Sequence, residues 1–149
     1  MKSFNLISHF LKDFSFNSPN TPELFFHQND TSAQIKTNID VQVKGTDDNL
    51  YMVDILLKLH SVLNKDAQTV FSISIDYAGI VRIDQTDNEE ITKETLMVDV
   101  PQFLFPYISL LVLQISNVSG FPPYVMPPLD FQQMYEQKKE QKPIDFFNL

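Results

Sequence analysis

Polar and apolar residues alternate almost without interruption from Gln34 to Lys44. Ile35, Thr37, Ile39, Val41 and Val43 fall on one side, and Gln34, Lys36, Asn38, Asp40, Gln42 and Lys44 on the other. A period of two points successive side chains to opposite faces, so the segment predicts a strand with one buried and one wet face. Turn-forming residues from Gly45 to Asn49 end it. A second strand is predicted from about Leu50 to Val62, with Tyr51, Val53, Ile55, Leu57 and Leu59 apolar and Asp54, Lys58 and His60 opposite. A third runs from Val70 to about Ile83, with Phe71, Ile73, Ile75, Tyr77, Val81 and Ile83 facing away from Ser72, Ser74, Asp76 and Arg82. Gly79 marks a bend at which a fourth strand is expected to begin. The expectation is an antiparallel meander over about residues 33–86.

The flanking segments follow other patterns. Residues 1–31 have no sustained period and predict an arm, extended in places, with turn formers from Asn17 to Pro22. Phe14, Phe16, Leu24, Phe25 and Phe26 are too apolar for a solvated tail, so the arm is expected to pack on the domain or on a partner subunit. An acidic loop, with at most a short helical turn, is expected from Asp84 to Glu94. No charge occurs between Asp99 and Asp130, and Phe103–Val118 is apolar on nearly every side. A helix is expected there, with Pro106 in its first turn and Gly120 ending it.

Three readings of this helix compete. A membrane-spanning helix needs about 20 mostly apolar residues, and the run from Phe103 to Val118 is shorter and carries Ser109, Gln114, Ser116 and Asn117. Burial in the core of a single chain is the second. The third, burial between subunits, fits best, because an all-apolar helix needs cover on every side and one small sheet covers only one. Tyr107, Leu110, Leu111, Leu113 and Gln114 are the expected interface residues. Residues 120–129, rich in proline, predict an extended crossing, and Asp130 is placed to cap a last helix over about 131–141. Pro143 closes that helix and residues 143–149 read as a loose tail, leaving one domain over 32–142.

Composition narrows the chemistry. A net charge of −8 with only 11 basic residues excludes the broad basic face that nucleic acid requires. The chain has no cysteine, hence no disulfide and no thiolate nucleophile or zinc ligand. His9, Lys12 and Asp13 interrupt the apolar start, so no secretory signal is expected. His9, His27 and His60 are scattered, without metal-ligand spacing. Asp84, Asp87, Glu89, Glu90 and Glu94 lack the order of a calcium loop. Glycines stand only at 45, 79 and 120, too far apart for a phosphate loop. Neither an enzyme nor a bound cofactor or metal is expected. What remains is a large apolar surface, for which Phe25, Phe26, Phe121, Tyr124, Met126, Phe131 and Met134 are the candidates. Aromatic and methionine-rich surfaces suit recognition of many apolar partners, because rings and thioethers adapt to varied shapes.

Several motifs, in order, resemble the SecB family of bacterial export chaperones. They are Lys12-Asp13-Phe14-Ser15-Phe16 with Ser18-Pro19-Asn20-Thr21-Pro22, Tyr77-Ala78-Gly79-Ile80, Phe103-Leu104-Phe105-Pro106-Tyr107, Gly120-Phe121-Pro122-Pro123 and Pro128-Leu129-Asp130-Phe131. The resemblance covers about Leu11 to Tyr135. It implies an α+β fold, a four-stranded antiparallel sheet with two helices on one side, assembled as a homotetramer that is a dimer of dimers. It also implies a cytoplasmic, ATP-independent holdase that binds unfolded secretory precursors and delivers them to the motor SecA, without cofactor, nucleic acid or membrane insertion. Asp13 and Asp76 are the SecA-docking candidates it suggests. Three docking positions of the family are replaced here by Asn17, Ser72 and Ser74. Two other readings stand beside it: a relative dedicated to one partner, such as the antitoxin of a toxin–antitoxin pair, and a structural oligomerisation domain.

Overall fold

The strand pattern is realised as four antiparallel strands: β1 (Asn5–Asn17), β2 (Ala33–Gly45), β3 (Leu50–Leu63) and β4 (Thr69–Arg82), ordered β1-β4-β3-β2. The computed structural model describes residues 4–26, 32–46, 48–84 and 88–141. The expected acidic residue Asp87, His27 and the 143–149 tail lie outside them.

The origin of the fourth strand corrects the sequence reading. β4 runs unbroken through Gly79, and the remaining strand comes from the N-terminal segment taken for an arm. Its period was hidden by two bulges against β4, between Leu6 and Ser8 and between Leu11 and Asp13. Each bulge adds a residue and flips the alternation. Phe14 pairs with Ile75 and Phe16 with Ile73, on the same face as the apolar residues of β4. Gly79 has a packing role instead of a bending one. A Cβ there would lie 3.1 Å from Leu104 Cδ1, so the glycine lets the overlying helix approach the sheet.

That helix also begins earlier than its apolar run. α2 (Glu89–Glu94) leads through a π-helical turn (Thr95–Asp99) into α3 (Val100–Val118). Asn88 starts the run by accepting a hydrogen bond from the Glu90 N–H through its side chain. Much of the expected acidic loop is therefore helical, and Pro106 stands inside α3 and not in a first turn. Glu89–Val118 spans 30 residues and is long and apolar enough to cross a membrane. Shortness is thus no argument against that reading. Packing decides it: Leu96, Val100, Leu104, Ile108 and Val112 are all 0% exposed against the sheet.

Val53, Ile55, Leu57, Ile73, Ile75 and Val81 supply the sheet side of this core. After Gly120 the chain crosses in irregular structure to α4 (Phe131–Gln141), capped by the Asp130 carboxylate, which accepts from the Gln133 N–H. Lys138 Nζ donates to Val41 O (3.1 Å) and Asp40 Oδ1 (3.3 Å), tying α4 to the β2 edge. Lys139 reaches Glu90 on α2 at 3.2 Å. The other, open face of the sheet carries no helix among the described residues.

Candidate functional site: an aromatic cavity and an uncovered helix stripe

A short helix, α1 (Glu23–Phe26), lies beside the start of the crossing. Between them and the end of the sheet is a cavity of about 500 Å³. Leu24 and Phe25 line it from α1, Ile35, Leu63, Val70 and Phe71 from the strands, and Phe121, Pro122, Pro123 and Tyr124 from the crossing. Its rings form a ladder. Phe25 stacks on Phe121 at 4.9 Å, Phe121 meets Phe71 at 5.7 Å, and Phe71 stacks with Phe16 at 6.0 Å.

Two local features hold the crossing in place. Gly120 adopts φ +89°, and a Cβ there would come within 2.9 Å of Phe25 Cζ. Only glycine turns the chain off the helix at this point without strain and without moving that ring. The Ser116 hydroxyl, fully buried, donates to Leu113 O and accepts from the Tyr124 N–H at 2.9 Å. One buried side chain thereby fastens the proline-rich segment to α3.

A second depression of about 320 Å³ lies between α4 and β2, lined by Ile39, Val41, Met97, Phe131 and Met134 with Asp40, Gln137 and Lys138 at its rim. The apolar candidates from the sequence divide accordingly. Phe25, Phe121 and Tyr124 meet at the cavity, and Phe131 and Met134 at the depression. Met126 is buried, at 5% exposure, and lines neither space. Phe26 is 74% exposed and lines neither space. Phe71, which its parity assigned to the sheet core, is the residue sequence reasoning missed: at the strand end its ring continues into the cavity.

Along one side of α3 a stripe of large side chains is left partly or largely exposed by the described residues. Phe103 is 43% exposed, Tyr107 39%, Leu110 52% and Val118 80%. Phe103, Tyr107 and Leu110 recur at intervals of three to four residues and Val118 follows two turns later, which places them on one helix face. Leu111 and Leu113 are half-buried at its margins and Gln114 is exposed within it. The Tyr107 ring lies parallel to Tyr77 at 6.0 Å and 4.5 Å from His9, whose Nδ1 is hydrogen-bonded to the Tyr77 hydroxyl.

The open face brings Asp13 and Asp76 directly opposite each other on β1 and β4. Lys12 Nζ lies 2.9 Å from Asp54 Oδ2 and 3.8 Å from Asp76 Oδ2. Burial pushes the Asp76 carboxyl above its ordinary pKa, and the neighbouring Asp54 carboxyl adds to the rise, while Lys12 opposes it. Lys12 is raised in turn, mainly by its hydrogen bond to Asp54. No group of three or more metal-ligating side chains occurs among the described residues.

Comparison with known proteins matches residues 1–142 to the family model described as SecB, preprotein translocase subunit. The chain belongs to the SecB family. It is 32% identical over 136 residues to the protein-export protein SecB of Caulobacter sp. (strain K31), covering 91% of this chain and 80% of that one. It is equally 32% identical over 142 residues to the protein-export protein SecB of Methylocella silvestris, covering 93% and 84%. Among solved structures, the SecB-like chaperone Rv1957 of Mycobacterium tuberculosis, in complex with a peptide from the HigA1 antitoxin, superposes with a TM-score of 0.69. Identity is 17%, with 85% of this chain and 91% of that chain covered. This last likeness is one of fold.

Proposed function

We propose that this SecB-family chain is an ATP-independent holdase that keeps secretory precursors unfolded in the cytoplasm and hands them to SecA. Family membership makes it a chaperone of protein export. The aromatic cavity carries the finer reading. A pocket of about 500 Å³ walled by Phe25, Phe71, Phe121 and Tyr124 accepts apolar side chains with little regard to their shape. Such binding reads unfoldedness: a native client has already buried the side chains the cavity takes. The depression at Phe131 and Met134 offers a second point of attachment on the same chain, and two weak contacts on one client multiply through effective concentration.

The uncovered stripe on α3 supports assembly into a dimer of dimers. Phe103, Tyr107 and Leu110 form an apolar surface of the kind that copies of a chain bury against each other. The open face supports docking of SecA through Asp13, which is exposed, with Asp76 beside it.

The test is an aggregation assay with a chemically unfolded precursor and no nucleotide. The wild-type protein is expected to suppress aggregation and to bind the native client at least tenfold more weakly. Phe121→Ala is expected to weaken client binding about tenfold, which is about 1.4 kcal/mol. Equal affinity for folded and unfolded client, or an unaffected Phe121→Ala variant, refutes the assignment.

A further inference from the structure

Charge on the open face is banded along the strands. Cross-strand register sets Asn17, Ser72, His60 and Lys36 in one row, and Ser15, Ser74, Lys58 and Asn38 in the next. These two rows hold no carboxylate. Asp13, Asp76, Leu56 and Asp40 form the third row, and Asp54 lies in the fourth, with Lys12 reaching between them. Lys44 and Arg82 lie beyond. The face therefore reads basic, acidic, basic from one end to the other.

Lys36 and Lys58 are exposed, and neither has a carboxylate within 4.0 Å among the described residues. In a chain of net charge −8 with 19 acidic residues, two unpaired lysines on one wet face are a local inversion of sign. A shallow concavity lies over them, lined by Lys36, Lys58, His60, Ser72 and Ser74. His60 Nε2 is hydrogen-bonded to Thr69 Oγ1 at 3.0 Å, which holds the ring beside Lys36. The formal charges in this lining, Lys36 and Lys58, are both positive, and the serine hydroxyls and the Asn38 amide can donate beside them, so it complements carboxylates.

The banding selects among anions. A uniform polyanion such as nucleic acid gains two lysines and then runs into Asp13, Asp54 and Asp76. A second copy of this chain, docked face to face about a centred two-fold axis, sets the acidic band on itself. A polypeptide with segregated charges meets neither penalty. We propose that the open face docks an extended polypeptide segment with acidic residues over Lys36 and Lys58 and basic residues over the acidic band, where Asp13 is exposed, Asp76 is half-buried and Asp54 is buried in its pair with Lys12. Rows on one face recur at about 6.8 Å, two residues of strand, so the centres of the two bands are about 14 Å apart, or roughly four residues of extended chain.

The proposal is independent of client binding, which uses the opposite face. It refines the SecA reading by adding an acidic requirement to the docked segment. The probe is a six-residue peptide with two glutamates, two serines and two lysines in that order, in both chain directions. The control has the same composition with its charges alternating. Binding is read by fluorescence anisotropy, and the face is identified by NMR shift changes. The segregated peptide is expected to bind at least fivefold tighter than the control, with shifts at Lys36, Lys58 and His60. Lys36→Glu/Lys58→Glu and the milder Lys36→Gln/Lys58→Gln are expected to remove that preference while client holding is unchanged. Five results overturn the proposal: equal affinity for both peptides, unaltered binding by the lysine variants, shifts confined to Phe71 and Phe121, tighter binding of oligothymidine, or self-association of this face without peptide.

Discussion

Opposite sides of α3 are predicted to do different work, and a pair of substitutions separates them. Leu110 is 52% exposed in the single chain, whereas Leu104, on the inner side, is 0% exposed. Fully burying a leucine side chain stabilises by about 1.5–3 kcal/mol, so the uncovered half of Leu110 has about 1 kcal/mol still to gain in an interface. Four copies in a tetramer bring about 4 kcal/mol, roughly three decades in the assembly constant. Leu110→Asp forfeits that and buries an unpaired carboxylate, at a further cost of several kcal/mol. Light scattering is expected to show the wild type near four times the 17.2 kDa chain mass and the variant at a smaller mass, with an unchanged circular dichroism spectrum. Leu104→Ala has the complementary signature. It opens a cavity beneath the helix and is expected to lose about 2–5 kcal/mol in urea unfolding, with no loss of assembly while folded. If Leu110→Asp keeps the wild-type mass, or the wild type is itself a single chain at micromolar concentration, the stripe is not an interface.

Three further outcomes follow from single contacts. Gly120→Ala forces a side chain into φ +89° and against Phe25, so about 1–2 kcal/mol of stability is expected to be lost, with weaker client binding; unchanged stability and binding refute the ring-positioning role of this glycine. Gly79→Ala places a methyl 3.1 Å from Leu104 Cδ1 and is expected to cost about 1–3 kcal/mol; a neutral result in urea unfolding means that α3 has room to shift. Asp76→Asn tests the half-buried carboxyl through pH. Because the folded-state pKa lies above the ordinary 3.8, stability falls as pH rises from there through the folded value, where the charge becomes costly. The asparagine variant is therefore expected to be more stable than wild type at pH 7, with the difference closing as pH falls toward 4. A gap that does not change with pH contradicts the burial argument.

The elements legible in the sequence were those with one uninterrupted signal. β2 alternates cleanly because one of its faces is wet, β3 is marked by Asp54, Lys58 and His60 although Met52 and Leu56 share that side, and the last helix announces itself through Asp130. β1 was illegible because its two bulges reset the parity, so His9, Phe14 and Phe16 could not be assigned to one face without knowing where the extra residues fell. The start of the long helix was hidden for another reason. Glu89, Glu90, Lys93 and Glu94 occupy its solvated first turns, and a polar helix end looks like a loop. Met126 and Phe71 show the same limit at the site: apolar character told that both are covered or used, but only packing told which.

Parity within a strand decides how this small sheet keeps its surfaces apart. Ile73 and Ile75 face the helix while Ser72, Ser74 and Asp76, one residue away each, face water. A one-residue slip of β4 would exchange the two sets and place a carboxylate under α3. The cavity and the charged bands are thus held on opposite faces by the same register, and a client seated against Phe71 would leave Lys58 and Asp13 open to a different partner. On the proposed assignment, one chain would hold a client and dock a second protein at once. It predicts that a saturating unfolded client changes the affinity of the open face for the segregated peptide by less than twofold. Strict competition between the two would mean that client and partner share a surface, and would remove the reason for assigning them to opposite sides of the sheet.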